Sequence, residues 1–285
     1  MPVPESEYLS PVWRDGIFIR LGANACIIGR SVEKTELAAK DIASVREGAK
    51  VIGIGGCDVR KIDSLQVAAE RCVKELGGID FVIAGAAGNF VAPIEGLSSN
   101  AFKSVMDIDV LGTFNTIKAT MPYLLKSSTP RIIYVSATFH YTGMPLQAHV
   151  SAAKASIDSL MASVALEYGP RGVTSNVIAP GGIDGTEGLA RLGSDAESEK
   201  KRYAKGIPLG RAGTVRDIAD ATVFLFSEAG SYVSGQVLAV DGAAWRRQGA
   251  ISVGTEAGME YPDYILNGEF SKNLRDPRKN GKAKL

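Results

Sequence analysis

The chain has 285 residues, 45% of them hydrophobic and 22% charged, with a formal net charge of +1. That is enough chain for one large core, and the near-zero charge argues against a concentrated basic face for nucleic acid. No apolar run reaches the ~18–20 residues of a membrane span, and Met1–Ser10 lacks the apolar stretch of a secretory signal.

In chain order, the second half of Pro11–Gly22 reads as the end of a helix. Ala25–Ile28 is a predicted strand, Glu33–Glu47 an amphipathic helix, Val51–Ile54 a strand and Ile62–Leu76 a helix closed by Gly77-Gly78. Phe81–Ala84 is the third strand, followed by helical stretches across Ala101–Leu125, then the strand Ile132–Val135. Ala152–Tyr168 is a small-residue helix, Thr174–Ile178 a strand, Val215–Ser227 a helix and Val237–Val240 the last strand. Apolar strands alternating with amphipathic helices predict an α/β fold, with a doubly wound parallel sheet covered on both faces. No linker divides the chain, so a single domain is expected with its core over about 14–250. From about Asn267 the sequence is polar and rich in Lys and Arg, as in a mobile tail. Cys26, Cys57 and Cys72 are sparse and far apart, which fits a reducing compartment. Neither these cysteines nor His140 and His149 have metal-ligand spacing, so no metal site is expected.

In such a sheet, ligands lie beyond the carboxyl ends of the strands. Three strand ends stand out. Ala84–Asn89 is a run of small residues that suits either a tight turn or the close approach of a flat cofactor. Ile132–Ala137 leads by a short loop to the helix carrying Lys154, and Asn176–Gly181 opens a glycine-rich loop running to Thr186. Together with Ser234–Gly242, these motifs are similar to those of the short-chain dehydrogenase/reductase family from about Leu21 to Ala244. The resemblance implies a Rossmann-type fold.

Two departures narrow it. The family's tyrosine, four residues before the lysine, is Val150, and its serine, thirteen residues earlier still, is Ala137. Asp109 takes the place of the family's structural asparagine. Asp109 with Lys154 resembles the arrangement in the peroxisomal 2,4-dienoyl-CoA reductases, as do 85–90, 149–154 and 185–189. A ketone reductase needs an acid beside the carbonyl oxygen. A conjugated dienoyl thioester takes hydride at its δ carbon, and donors can hold the resulting oxyanion without protonating it. Asp109 is then expected to relay a proton to the α carbon through water, and Lys154 to bind the nicotinamide ribose.

Arg30 and Ser31 follow a strand where an NAD enzyme would carry an acidic residue, and a guanidinium suits a 2′-phosphate, so NADPH is the expected cofactor. By resemblance Asp58, Ala86, Pro180, Gly181, Ile183 and Thr186 join the cofactor site, and Arg60, Phe90 and Arg191 take the acyl-CoA substrate. The resemblance also implies a symmetric homo-oligomer. The terminal Ala283-Lys284-Leu285 is similar to a peroxisomal import address, which implies an import receptor as partner.

The family's opening strand and pyrophosphate-cradling glycine loop have no counterpart upstream of Arg30. Gly53-Ile54-Gly55-Gly56 is no substitute, because it lies in a strand and reads as close backbone packing. A truncated, spliced or mispredicted chain accounts for the loss, or Glu7–Arg14 supplies a makeshift edge strand. Two further readings stay open at this point: a binding or regulatory subunit without activity, and a reductase of another substrate.

Overall fold

The computed structural model describes residues 16–186 and 206–247. Glu7–Arg14, Arg191, the polar tail and the terminal tripeptide lie outside the described residues.

The elements alternate as their hydrophobic periods require. A one-turn helix α1 (Ile17–Arg20) precedes β1 (Ala25–Ile28), α2 (Val32–Ala43), β2 (Val51–Ile54), α3 (Ile62–Leu76) and β3 (Phe81–Ala84). After these come α4 (Ser99–Met106), α5 (Gly112–Leu124), β4 (Arg131–Val135), α6 (Ala148–Tyr168), β5 (Thr174–Pro180), α7 (Val215–Phe226), β6 (Val237–Val240) and α8 (Ala244–Arg247). Gly77 ends α3 in the left-handed conformation at φ 96°, its N–H donating to Val73 O. That conformation is why glycine stands there.

All strand pairs among the described residues are parallel, but they form two pieces. One is β1-β2 and the other is β3-β4-β5-β6. Among the described residues no strand bridges β1 and β3. A cavity of about 510 Å³ opens there instead, lined by both strands, by α3 and by Phe18.

Helices hold the two pieces together. On one face Ile17 and Phe18 of α1 pack with Ile133, Ile178 and α7, while Ile19 packs with Ala25, Ile27 and α2. So short a helix is marginal alone. Arg46 ties it down, its Nε donating to Ile19 O at 2.6 Å and its Nη2 to Ala23 O, in the loop that follows, at 3.0 Å. On the other face Ala119 of α5 packs with Leu65 and Ala68 of α3, while Ile117 and Met121 join the main core over β3, β4 and β5. α5 therefore spans both pieces.

Within the first piece, Gly53 and Gly55 do pack backbone to backbone. A Cβ on Gly55 would collide with Val32 Cα, and one on Gly53 would lie 2.7 Å from Thr35 O.

Between α4 and α5 the chain makes a single π-helical turn, Asp107–Leu111. The sequence reads as helical throughout this stretch and gives no signal of the widened turn. Such turns, with their extra residue, frequently occur at functional sites.

Candidate active site

The π turn places Asp109 inside the protein with no solvent exposure. α6 presents a buried stripe of His149, Val150, Ala153, Lys154, Ile157 and Met161, spaced as one helix face requires. The stripe brings Lys154, itself 6% exposed, to Asp109. Lys154 Nζ lies 3.0 Å from Asp109 Oδ2 and donates to Val135 O, at the carboxyl end of β4, at 3.1 Å. Asp109 Oδ1 accepts the Gly88 N–H at 2.7 Å. The segment after β3 and helix α6 thus converge on one carboxylate, and the end of β4 holds its lysine. Burial pushes the Asp109 carboxyl above its ordinary range, against the opposing pull of Lys154 and of the Gly88 N–H. Such a group can hold a proton that a surface aspartate would lose.

The missing phenol and hydroxyl are replaced by packing. Val150 is buried with Val105 and Ala153, and Phe90, Met106, Val110 and Phe139 lie against them. Ala137 is also buried. Phe90 stacks on His149 at 4.1 Å between ring centroids, and its carbonyl accepts from His149 Nε2 and from Gln147 Nε2, each at 3.0 Å. These two residues fix the loop that carries Gly88. The sequence marks His149 only within the run 149–154, and it carries no signal for Gln147 or for the Gly88 N–H as a donor.

The glycine-rich loop after β5 lies beside the end of β6. Gly181 N donates to Val240 O at 3.1 Å, and a Cβ at Gly181 would fall 2.6 Å from Asp241 Cβ. Ile183 is buried and accepts the Thr186 hydroxyl through its carbonyl at 2.8 Å. Ala86 follows β3 and lines the cavity between the sheet pieces.

A second group gathers at the ends of β1 and β2. Ser31 caps α2, and its hydroxyl accepts the Lys34 N–H. Asp58 and Arg60 form a tight pair, with Arg60 Nη2 2.6 Å from Asp58 Oδ2 and Arg60 Nε 3.0 Å from Oδ1. Arg30 lines the same cavity as this pair. Burial, and then the neighbouring Arg60 charge, lowers the Arg30 pKa. Two neighbouring guanidiniums beside one cavity suit an added anion. Arg60, expected with the acyl-CoA, thus stands with Arg30 and Asp58, while Phe90 stands beside Asp109's side of the site. Among the described residues no cluster of His, Cys, Asp and Glu could hold a metal ion.

Residues 17–243 match the family described as enoyl-(acyl carrier protein) reductase. The chain belongs to the short-chain dehydrogenase/reductase family. It is 51% identical over 256 residues to a peroxisomal 2,4-dienoyl-CoA reductase, (3E)-enoyl-CoA-producing, of Saccharomyces cerevisiae, covering 89% of this chain and 85% of that one. The Danio rerio protein of the same description is 42% identical over 229 residues, covering 80% and 75%. In fold, the chain is similar to an NADPH-bound short-chain oxidoreductase with an atypical catalytic centre from Pseudomonas aeruginosa, with a TM-score of 0.76 at 24% identity over 82% of this chain and 91% of that one. Membership in this short-chain dehydrogenase/reductase family supports a nicotinamide dinucleotide as the cofactor.

Proposed function

We propose that this protein reduces 2,4-dienoyl-CoA to 3-enoyl-CoA with NADPH, in the peroxisomal oxidation of unsaturated fatty acids. The observation that carries this reading is a buried acid–lysine pair, Asp109 with Lys154, beside apolar side chains where a carbonyl reductase has its tyrosine and serine. Similarity to relatives named as dienoyl-CoA reductases supports the substrate class.

The residues fit both ends of the cofactor. Arg30 and Ser31, with Arg60 nearby, would hold a 2′-phosphate, and Asp58 would meet the adenine. Lys154 would bind the nicotinamide ribose, with Ala86, Pro180, Gly181, Ile183 and Thr186 around the carboxamide end. When bound, the cofactor supplies a hydride, which the δ carbon of the dienoyl group accepts.

The chain's own part is electrostatic and acid–base. Lys154 stabilises the negative charge that spreads toward the thioester. Asp109, protonated at Oδ2, gives its proton through a water to the α carbon, and the resulting carboxylate is held by Lys154 and the Gly88 N–H. No acid is needed at the oxygen, so Val150 and Ala137 cost nothing there. Phe90 and Arg191 would contact the acyl and CoA groups, a symmetric homo-oligomer would form, and the terminal Ala-Lys-Leu would engage an import receptor.

NADPH oxidation with a 2,4-dienoyl-CoA, set against simple ketones, tests the reading. Turnover of the dienoyl thioester to a 3-enoyl product is expected. Preferential turnover of a ketone, or NADPH binding without dienoyl reduction, would overturn it.

A further inference from the structure

The fold brings together three cysteines that the sequence keeps apart. Along β1, Ala25 and Ile27 face α2, so Cys26 and Ile28 face the opposite layer, where they pack on Ile54, Leu65 and Ala68. On α3, Leu65, Ala68, Ala69, Cys72 and Leu76 share one helical face, and all five line the cavity between β1 and β3. Cys26 lines it too. Both thiols are partly exposed, whereas Cys57 is buried and donates its S–H to Ser64 O at 3.5 Å.

We propose that Cys26 and Cys72 form a peroxide-oxidisable thiol pair that closes a disulfide between β1 and α3. Cys26 packs against the α3 face, Leu65 and Ala68, that also carries Cys72, and both cysteines line one cavity; that juxtaposition carries the proposal. The electrostatics agree with it and set the order of events. The adjacent Cys26 thiol lowers the Cys72 pKa, and Cys72 and then burial raise that of Cys26. The thiolate is the attacking form, so Cys72 reacts first. Its sulfur attacks one oxygen of hydrogen peroxide and breaks the O–O bond. The products are a sulfenic acid and a hydroxide, which takes up a proton to become water. Cys26 sulfur then displaces hydroxide from the sulfenic sulfur, and the Cys26 proton leaves with it as a second water. Two thiols lose two electrons in all, and one peroxide gains them.

The test is peptide mapping of the full-length protein under non-reducing conditions, before and after hydrogen peroxide. A linked peptide pair containing Cys26 and Cys72 is expected, absent after reduction and unchanged in Cys57→Ser. In Cys26→Ser, a dimedone adduct is expected on Cys72, while Cys72→Ser is expected to leave Cys26 at least tenfold less labelled. A bridge to Cys57, direct oxidation to sulfonic acid without a bridge, or unreacted thiols in protein with normal thermal unfolding would each overturn the proposal.

Discussion

The two pieces of the sheet carry their functional residues in opposite ways. Around β3-β4-β5-β6, the key groups are buried and held from several directions: Asp109 is gripped by Lys154 and Gly88, and Lys154 by Val135 as well. Around β1-β2, Arg30, Ser31, Asp58 and Arg60 sit on loops at the strand ends, and the piece itself is held by α1, α5 and the reach of Arg46. On the proposed reading, chemistry that needs a fixed proton position falls to the buried groups, and recognition of a charged cofactor falls to the more open ones.

The largest test of that contrast is removal of the acid. Asp109→Asn and Lys154→Met are each expected to lower kcat on a dienoyl-CoA by about 10²–10⁴-fold, and steady-state rates would reveal it. Cofactor fluorescence should then show weakened NADPH binding in Lys154→Met alone. Near-normal turnover in either variant would remove that residue from the mechanism.

pH sharpens the same point. The folded carboxyl of Asp109 lies above its ordinary value, so the protonated form is favoured by the fold. Its contribution to stability is therefore complete at low pH and fades as pH rises through the raised value. Turnover that needs the proton should fall over the same rise, and Asp109→Asn should erase that limb of the kcat profile. A wild-type profile flat across this range would contradict the acid role.

For the open piece, Arg30→Ala is expected to raise the KM for NADPH by about 10–100-fold, the worth of one charged contact. NADH should be affected far less, so the ratio of the two kcat/KM values is the measurement. Equal losses for both cofactors would mean that Arg30 supports the fold rather than a 2′-phosphate. The smallest effect is expected from Arg46→Ala. Losing its grip on Ile19 and Ala23 should cost about 1–2 kcal/mol and lower Tm by a few degrees, leaving kcat unchanged. Loss of dienoyl turnover in folded Arg46→Ala would show that the two pieces depend on one another more than their packing implies.

Much of this architecture is legible in the sequence where one local rule decides. β1, β2, β3 and β6 have the expected bounds because short branched runs sit beside turn residues, and α3 because its amphipathic pattern stops at the left-handed Gly77. α6 begins at Ala148, four residues earlier than expected, because the buried contacts of His149 and Val150 outweigh the weaker apolar pattern there. α2 stops at Ala43 rather than continuing to Glu47, where the chain bends toward the left-handed Gly48 and Arg46 turns to α1. The site was legible as residue types at strand ends, and Asp109 and Lys154 do meet. Their geometry was not, because the π turn has no propensity signature and the Gly88 N–H is a backbone group. The pairing of Arg60 with Asp58 and the convergence of the cysteines depend on contacts between elements that no local pattern records.

The single widened turn at Asp107–Leu111 has one more implication. A regular helix through this stretch would rotate everything after it by about 100° per residue removed, so Asp109 and the buried face of α5 could not both keep their present neighbours. A one-residue deletion there would therefore withdraw the acid without altering any side chain that touches it. A change of length at this turn would thus remove the proton donor while every contacting residue type stayed in place, and an alignment scored on residue identity alone would pass over the event.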